Sequence, residues 1–264
     1  MSESAGVEGT RRLVVGDDGS PAADIAWLWV ISHRWPGWRV EVVTAVPPYV
    51  GTGVPEGGDV LHPWSPPDPR AAPAECGLAG LVHLTANLDP RLALSGPADL
   101  VVVGPRGEGL LKTLHLGSTA EWLLQEPRSP VAVIRHGRAV RRALVCVDGS
   151  AHAERAASAL AGLPLIHGAH VDVLTVDDGR IDADRAADPI MARLEAAGAL
   201  VERRRRAGAV TQAIVAEIEA RAADLVVLGT RGLTPWARLR LGSTAAAVVR
   251  GTGCSVLAAT AGDL

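Results

Sequence analysis

The sequence contains no phenylalanine, and Lys112 is the one lysine among its 264 residues. Lys112 does not follow a glycine directly, so the lysine-dependent phosphate motif G-x-x-x-x-G-K-[ST] is absent. No apolar run approaches the roughly 20 residues that a membrane-spanning helix needs. The first ten residues lack the basic start and apolar core of a signal peptide, and we therefore expect a cytoplasmic protein with no membrane partner.

Patterns for disulfides, metal ions and nucleophilic catalysis are missing as well. The three cysteines, Cys76, Cys146 and Cys254, are widely spaced and form no C-x-x-C pair. The eight histidines show no H-E-x-x-H spacing, and no G-x-S-x-G elbow occurs. With a net charge of −3, we expect no nucleic-acid partner, and we interpret the arginines at 203–206 as a solvated strand edge.

A glycine-rich pattern occurs twice, 125 residues apart. Each copy reads G-x-x-G, nine further residues, and then glycine, serine and threonine; the copies span Gly104–Thr119 and Gly229–Thr244. A spacing this long indicates a duplicated domain rather than a short structural repeat. Each copy follows a short apolar run. Glycines after a buried strand, with hydroxyls at the start of a helix, suit a backbone that wraps a phosphate.

Both halves of the chain open with the same local pattern. An apolar run leads to an acidic turn, Asp17-Asp18-Gly19-Ser20 in the first half and Asp148-Gly149-Ser150 in the second. A helical stretch follows each turn, with the serine as its predicted N-cap. Further strands alternate with helices, which indicates βαβ units and a parallel sheet. The sequence therefore predicts an α/β fold with two tandem domains, residues 1–138 and 139–264.

The middle of the first half departs from this regular pattern. Residues Pro47–Pro73 are rich in proline and glycine, and they predict a long irregular loop. We predict a strand near Leu81–Thr85 and a short helix near Pro90–Leu94 to follow it. Residues Gly137–Val140 form the predicted domain junction, which is too short to be a flexible tether.

The acidic turn and the glycine loop are expected to meet. In an open parallel sheet, ligands bind beyond the carboxyl ends of the strands, where the strand order reverses. With the order 3-2-1-4-5, this reversal lies between strands 1 and 4. Strand 1 ends at Asp18 or Asp148, and strand 4 ends at Gly104 or Gly229. Each acidic turn should therefore share one crevice with the glycine loop of its own half.

Each predicted role follows from the chemistry of the group. Glycines let backbone N–H groups approach a polyphosphate, and hydroxyls and amides at a helix start favour negative charge. The aspartates can accept from a ribose hydroxyl or an adenine amine, backbone groups at the end of strand 2 can contact the adenine edge, and an arginine in the loop can either clamp a terminal phosphate or face solvent. The predicted nucleotide-binding residues are Asp148, Thr175, Gly229, Arg231, Gly232, Gly242, Ser243 and Thr244 in the second half, and Asp18, Ala45, Gly104, Gly107, Gly117, Ser118 and Thr119 in the first.

The two loops, the Asp-Gly-Ser turns and the strand after Cys254 together resemble the ATP-binding branch of the universal stress protein family. The resemblance covers both halves of the chain. It implies two tandem Rossmann-like (adenine nucleotide alpha hydrolase-like) domains, each a five-stranded parallel sheet of order 3-2-1-4-5 between helices. It also implies ATP or AMP as ligand, often with Mg²⁺, a non-enzymatic regulatory role in the stress response, and domains that pair through their last strands. Such pairing would occur within one chain, and two chains would form a homodimer.

Departures from the pattern favour the second site. Pro105 removes an N–H donor from the first loop, and Glu108 adds a negative charge, whereas Thr230 and Leu233 stand in the second. Two other functions remain open: a slow Mg²⁺-dependent ATP hydrolase that uses Asp148, and a nucleotide-free interaction scaffold. The glycine loops can also be simple tight connections, and the aspartates can merely cap the helices.

Overall fold

The computed structural model describes residues 10–46, 67–106, 116–125, 128–177, 183–230 and 241–259. Strands and helices alternate along these residues. In the first half the elements are β1 (Arg11–Gly16), α1 (Pro21–Ile31), β2 (Trp38–Ala45), β3 (Gly80–Ala86), α2 (Pro90–Ala93), β4 (Leu100–Val103), α3 (Ser118–Gln125) and β5 (Val131–Val133). In the second half they are β6 (Arg142–Val147), α4 (Ala151–Ala161), β7 (His170–Asp177), α5 (Ala183–Ala196), β8 (Leu200–Ala207), α6 (Val210–Arg221), β9 (Leu225–Gly229), α7 (Ser243–Gly251) and β10 (Ser255–Ala259).

The described strands form one sheet in the order β3-β2-β1-β4-β5-β10-β9-β6-β7-β8. Neighbouring strands are parallel within each half, and β5 and β10 are antiparallel, with Val133 opposite Val256. The α/β fold and the order 3-2-1-4-5 are as predicted. The two last strands also pair within the chain, so the sheets of the two halves are continuous rather than separate.

The sheet is covered by helices on both faces because its strands are apolar on both sides. Leu13 and Val15 lie in one core cluster with α1, α4 and α5, while Val14 lies in the other with α3, α6 and α7. Alternate residues of a strand point to opposite faces, so both faces of a central strand must be apolar to be buried. Among the described residues, no helix is long and apolar enough to cross a membrane.

The two acidic turns start their helices as the sequence predicted. Ser20 Oγ accepts a hydrogen bond from Ala23 N–H, and Ser150 Oγ accepts one from Ala153 N–H, both at 3.2 Å. Gly19 and Gly149 have φ values of 77° and 73°, which side-chain-bearing residues rarely adopt. Each serine is therefore an N-cap, and each glycine allows the sharp change of direction between strand and helix.

The strand and short helix predicted for the middle of the first half are confirmed by β3 and α2. Most of the predicted Pro47–Pro73 loop lies outside the described residues. Its described end, from residue 67, packs along α1, where Ala72 contacts the core cluster. In the second half, α5 packs along α4.

The junction between the halves is held by specific contacts. Val140 N–H donates to His33 Nε2 at 2.9 Å, and a Cβ added to Gly137 would lie only 2.6 Å from Leu28 Cβ. Asp224 accepts from the backbone N–H groups of Arg141 and Arg142. The junction is therefore bound to both halves, while the domain boundary between residues 138 and 139 stays a prediction.

Candidate nucleotide site

Strand register brings each acidic turn to the same sheet edge as a glycine loop. Val145 of β6 pairs with Val227 of β9. Three residues later, at Asp148 and Thr230, both segments of the chain have left the sheet. In the first half Val15 pairs with Val102, so the corresponding exits are Asp18 and Pro105. The expected juxtaposition of turn and loop is therefore present in both halves, at the reversal of strand order.

The first glycine of each loop lies against the helix that follows the acidic turn. A Cβ on Gly229 would lie 2.8 Å from the Ala153 nitrogen and from His152 Cβ. A Cβ on Gly104 would lie 2.7 Å from the Ala22 carbonyl oxygen. These separations are shorter than real Cβ contacts. Each glycine is thus required for the close approach of the two chain segments, whatever else the loop does.

A backbone hydrogen bond ties the two ends of each loop together. Gly242 N–H donates to the Thr230 carbonyl oxygen, and Gly117 N–H donates to the Pro105 carbonyl oxygen, both at 2.7 Å. Helix α7, which follows Gly242, therefore starts beside the end of β9, and α3, which follows Gly117, starts beside the end of β4. This arrangement places Ser243 and Thr244, or Ser118 and Thr119, in the first turn of a helix next to the acidic turn.

The Asp148 carboxylate is partly used by its own turn. Its Oδ1 accepts from Ser150 N–H at 3.0 Å and from Ser150 Oγ–H at 2.6 Å. Its Oδ2 has no hydrogen-bond partner among the described residues. Asp18 Oδ1 accepts from Ser20 N–H at 3.1 Å in the same way. Asp148 is half-buried and Asp18 is exposed. The aspartates therefore do cap their turns, and Asp148 keeps one oxygen that could face a ligand.

The strand 2 positions named from the sequence are not equivalent in the two halves. Gly16 pairs with Val43, and its counterpart Cys146 pairs with Leu174, so the next residues, Thr44 and Thr175, correspond. Ala45, named from the sequence together with Thr175, lies one residue further along than Thr44. Thr44 and Thr175 are both buried, and Thr175 Oγ1 donates to the Arg204 carbonyl oxygen at 3.4 Å. The correct counterpart, Thr44, could have been found by aligning the strands on their turns.

A buried hydroxyl at the start of the second loop was missed by sequence reasoning as a candidate side chain. Thr230 is 1% exposed, and its Oγ1 has no hydrogen-bond partner in the described part of the chain. Its N–H donates to the Ala259 carbonyl oxygen at 3.0 Å. Leaving a buried hydroxyl unpaired is unfavourable, which marks this atom as available for a ligand or water. The sequence does contain a signal for this hydroxyl, because the second copy has Thr230 where the first copy has Pro105.

The first half carries an ion pair that the second half lacks. Arg70 Nε and Nη2 donate to the two carboxylate oxygens of Asp17 at 2.6 and 2.8 Å, and Nη1 donates to Asp24 at 2.6 Å. Hydrogen bonding to Asp17 raises the pKa of Arg70 further above its usual value. Val147 stands where the first half has Asp17. The two crevices therefore differ chemically at the end of strand 1.

Three predicted loop residues, Gly107, Arg231 and Gly232, lie outside the described residues.

Glu121, in the first turn of α3, contacts Arg250 on α7 through its carboxylate. The two helices that follow the glycine loops are therefore joined to each other across the centre of the molecule.

The fold, with an acidic turn beside the start of a glycine loop in each half, defines a tandem, doubly wound α/β protein. Comparison with known proteins agrees with this class. The family model described as Universal stress protein family matches residues 85–135 and 139–259. The chain therefore belongs to the universal stress protein family.

Individual relatives and solved structures are similar to this chain to different extents. A curated universal stress protein of Synechocystis is 31% identical over 168 residues, which are 62% of this chain and 58% of that relative, so the match spans less than two thirds of its length. The crystal structure of a universal stress protein from Archaeoglobus fulgidus covers 96% of this chain and 97% of its own, with 21% identity and a TM-score of 0.66. A universal stress protein solved in complex with cAMP is 29% identical and covers 47% of this chain and 97% of its own, with a TM-score of 0.39.

Proposed function

We propose that this protein binds an adenine nucleotide, ATP or AMP, in the crevice of its second half and acts as a non-enzymatic regulator in the stress response. One observation carries the proposal. The half-buried carboxylate of Asp148 lies just after β6, and the buried hydroxyl of Thr230, which has no hydrogen-bond partner among the described residues, lies just after the neighbouring β9. Both are at the reversal of strand order, where such folds bind ligands.

The residues present suit the parts of a nucleotide. The Oδ2 atom of Asp148 can accept from a ribose hydroxyl or an adenine amine. Gly242 precedes α7 and has no side chain to cap the helix, so the first N–H groups of α7 are available to phosphate oxygens. The positive end of the helix dipole favours the same anion. The hydrogen bond from Gly242 N–H to the Thr230 carbonyl oxygen holds the start of α7 beside the end of β9.

The second crevice is proposed to bind more tightly than the first. Thr230 supplies a hydroxyl where Pro105 has none. Asp148 is also less exposed than Asp18, so a hydrogen bond to it is less weakened by competing water. The first half uses the end of strand 1 for the Asp17–Arg70 pair instead.

Any Mg²⁺ would be held chiefly by phosphate oxygens and water. Among the described residues, no group of three His, Cys, Asp or Glu side chains could hold a metal ion. Mg²⁺ in nucleotide sites commonly keeps several water ligands, and one carboxylate such as Asp148 would suffice from the protein. We propose slow ATP hydrolysis at most, because one oxygen of Asp148 is already engaged by Ser150, which weakens this carboxylate as a general base.

Assembly is proposed to follow from the sheet. Because β5 and β10 pair with each other inside one chain, they complete the interface between halves. The proposed cytoplasmic homodimer, with four domains, must therefore use a different surface of each chain.

The test is calorimetric titration of ATP and AMP into the wild type, Asp148→Asn and the matched variant Asp18→Asn. We expect about tenfold weaker binding for Asp148→Asn, the value of one charged hydrogen bond, and little change for Asp18→Asn. Equal losses would contradict the ranking of the sites, and the absence of saturable binding by the wild type would favour the scaffold function. Phosphate release near the median enzyme rate of about 10 per second would instead favour the hydrolase.

A further inference from the structure

A cavity of about 430 Å³ lies between the two halves, away from both glycine loops. Its first-half wall is formed by Arg11 and by residues 36–38, at the starts of β1 and β2. Its second-half wall is formed by residues 161–164, 166 and 167, after α4, and by Ala197 after α5. The amino ends of the strands line it, whereas the nucleotide crevices lie at the carboxyl ends. The cavity is therefore separate from the proposed nucleotide sites.

The Arg11 guanidinium is held in this cavity by both halves. Its Cζ lies 5.5 Å from the centre of the Trp38 ring, and its Nη1 donates to the Gly162 carbonyl oxygen. Trp38 is 3% exposed, so the flat surface under the guanidinium is fixed by the core. A guanidinium has five N–H donors, and the bond to Gly162 uses one of them. The remaining donors are oriented but not consumed by the contacts of the described residues.

The charge of the cavity is of one sign. Among the described residues that line it, Arg11 and His167 are the ionisable side chains, and no aspartate or glutamate is present. His167 is fixed against the backbone of Gly198, where an added Cβ would lie 2.2 Å from His167 Nδ1. The remaining lining combines backbone polar groups with apolar side chains, of which Trp38 and Ile166 are almost fully buried. One guanidinium held over a buried ring, with no acidic side chain among the described lining residues, matches a single negative charge.

We propose that this cavity binds a small organic carboxylate, with its carboxylate on Arg11. A carboxylate accepts two parallel N–H bonds from a guanidinium, and one positive charge balances one negative charge. A phosphate dianion would leave one of its two negative charges unbalanced by Arg11. Because the walls come from both halves, a bound carboxylate would connect them at a point distant from the sheet junction of β5 and β10.

The chain offers a matched control for Arg11. Arg12 in β1 and Arg142 in β6 occupy equivalent positions, because Arg12 pairs with Arg39 of β2 and Arg142 pairs with His170 of β7. The residue before each, Arg11 or Arg141, is therefore also equivalent. Arg141 does not line the cavity. The variants Arg11→Gln and Arg141→Gln therefore change the net charge equally at equivalent places, and they differ in the cavity.

The experiment titrates benzoate into the ¹⁵N-labelled full chain up to about 10 mM, a range that reports affinities near 1 mM. Benzamide, which has the same ring without the charge, is titrated in parallel. We expect saturable shifts of the Trp38 indole signal with benzoate, and binding at least about tenfold weaker for benzamide and for Arg11→Gln. Arg141→Gln should bind benzoate as the wild type does.

A second variant covers the case in which Arg11→Gln unfolds. Ala161→Leu leaves the guanidinium in place and fills part of the cavity, so it should also weaken benzoate binding. Wild-type protein that shows no saturable benzoate binding would overturn the proposal. Equal binding of benzoate and benzamide, or full binding by Arg11→Gln, would overturn it as well. Binding of ATP by these variants is expected to be unchanged, so this result is independent of the proposed nucleotide site.

Discussion

The imidazole of His33 on α1 accepts a hydrogen bond from the backbone N–H of Val140, in the junction that leads to β6, at 2.9 Å. The other ring nitrogen, Nδ1, lies 2.7 Å from the Trp29 carbonyl oxygen. A carbonyl oxygen can only accept, so Nδ1 carries the proton and Nε2 does not. The junction therefore depends on neutral His33, and protonation of Nε2 would break the bond to Val140.

This relationship predicts a loss of stability in mild acid. Burial lowers the pKa of His33 below its usual 6.5, against smaller opposing effects of Trp29 and Asp224. The unfolded chain therefore binds more protons than the folded chain as the pH falls below about 6.5, and the free energy of unfolding should fall with it. Urea unfolding at pH 7.5 and 5.5 measures the change.

The matched variant for this prediction is His33→Gln. Its stability should be lower at pH 7.5 and should depend less on pH than that of the wild type. Some dependence will remain, because burial and Arg138 lower the pKa of His136 in the same direction. An identical pH dependence in the variant and the wild type would show that His33 does not titrate in this range.

Gly229→Ala should destabilise the fold. The added Cβ would lie 2.8 Å from Ala153 N and His152 Cβ, so β9 and α4 must move apart, at a cost of about 1–3 kcal/mol. Gly253→Ala is the control, because nothing lies within 4 Å of a Cβ at that position. Urea denaturation measures both variants, and equal stabilities would mean that the helix and the loop adjust without strain.

Thr230→Val should change stability and nucleotide binding in opposite directions. Removing a buried hydroxyl that has no partner among the described residues should raise the free energy of unfolding by about 1 kcal/mol. If that hydroxyl contacts the nucleotide, ATP affinity should fall in the same variant. Thr175→Val, whose hydroxyl does have a partner in Arg204, should instead lose about 1 kcal/mol of stability. Calorimetric titration and thermal unfolding of both variants separate the two effects.

Arg70→Met should leave the Asp17 carboxylate buried and unpaired. The Asp17 side chain is 3% exposed, so we expect a loss of about 3 kcal/mol, measured by urea unfolding. Adding Asp17→Val, the residue that the second half has as Val147, should recover much of that loss. Arg91→Gln breaks an exposed ion pair with Asp89 and should have little effect. A double variant no more stable than Arg70→Met would show that the carboxylate is not the cause.

Much of the fold could be predicted because it depends on local patterns. The apolar runs, the serine N-caps and the positive-φ glycines Gly19 and Gly149 are readable one segment at a time. The strand order 3-2-1-4-5 was supposed rather than derived from the residues, although right-handed crossovers leave few alternatives. Candidate site residues that belong to these patterns, such as Asp148 and Gly229, were found for the same reason.

Other features needed contacts between residues that are far apart in the sequence. Thr44 rather than Ala45 is the counterpart of Thr175, because the register of strand pairing decides which residues correspond. The pairing of Arg70 with Asp17 spans 53 residues, and no local pattern indicates it. The unpartnered state of Thr230 could not be predicted either, since burial depends on everything packed around the loop.

The sequence by itself determined the duplicated α/β architecture and the meeting of an acidic turn with a glycine loop in each half, because helix caps, turn glycines and apolar strands act over a few neighbouring residues. Tertiary structure alone decided how the halves differ and how they are joined: the continuous sheet through β5 and β10, the His33 contact to the junction, and the Arg11 cavity. These features depend on the distances between packed elements, which the order of residues along the chain does not contain.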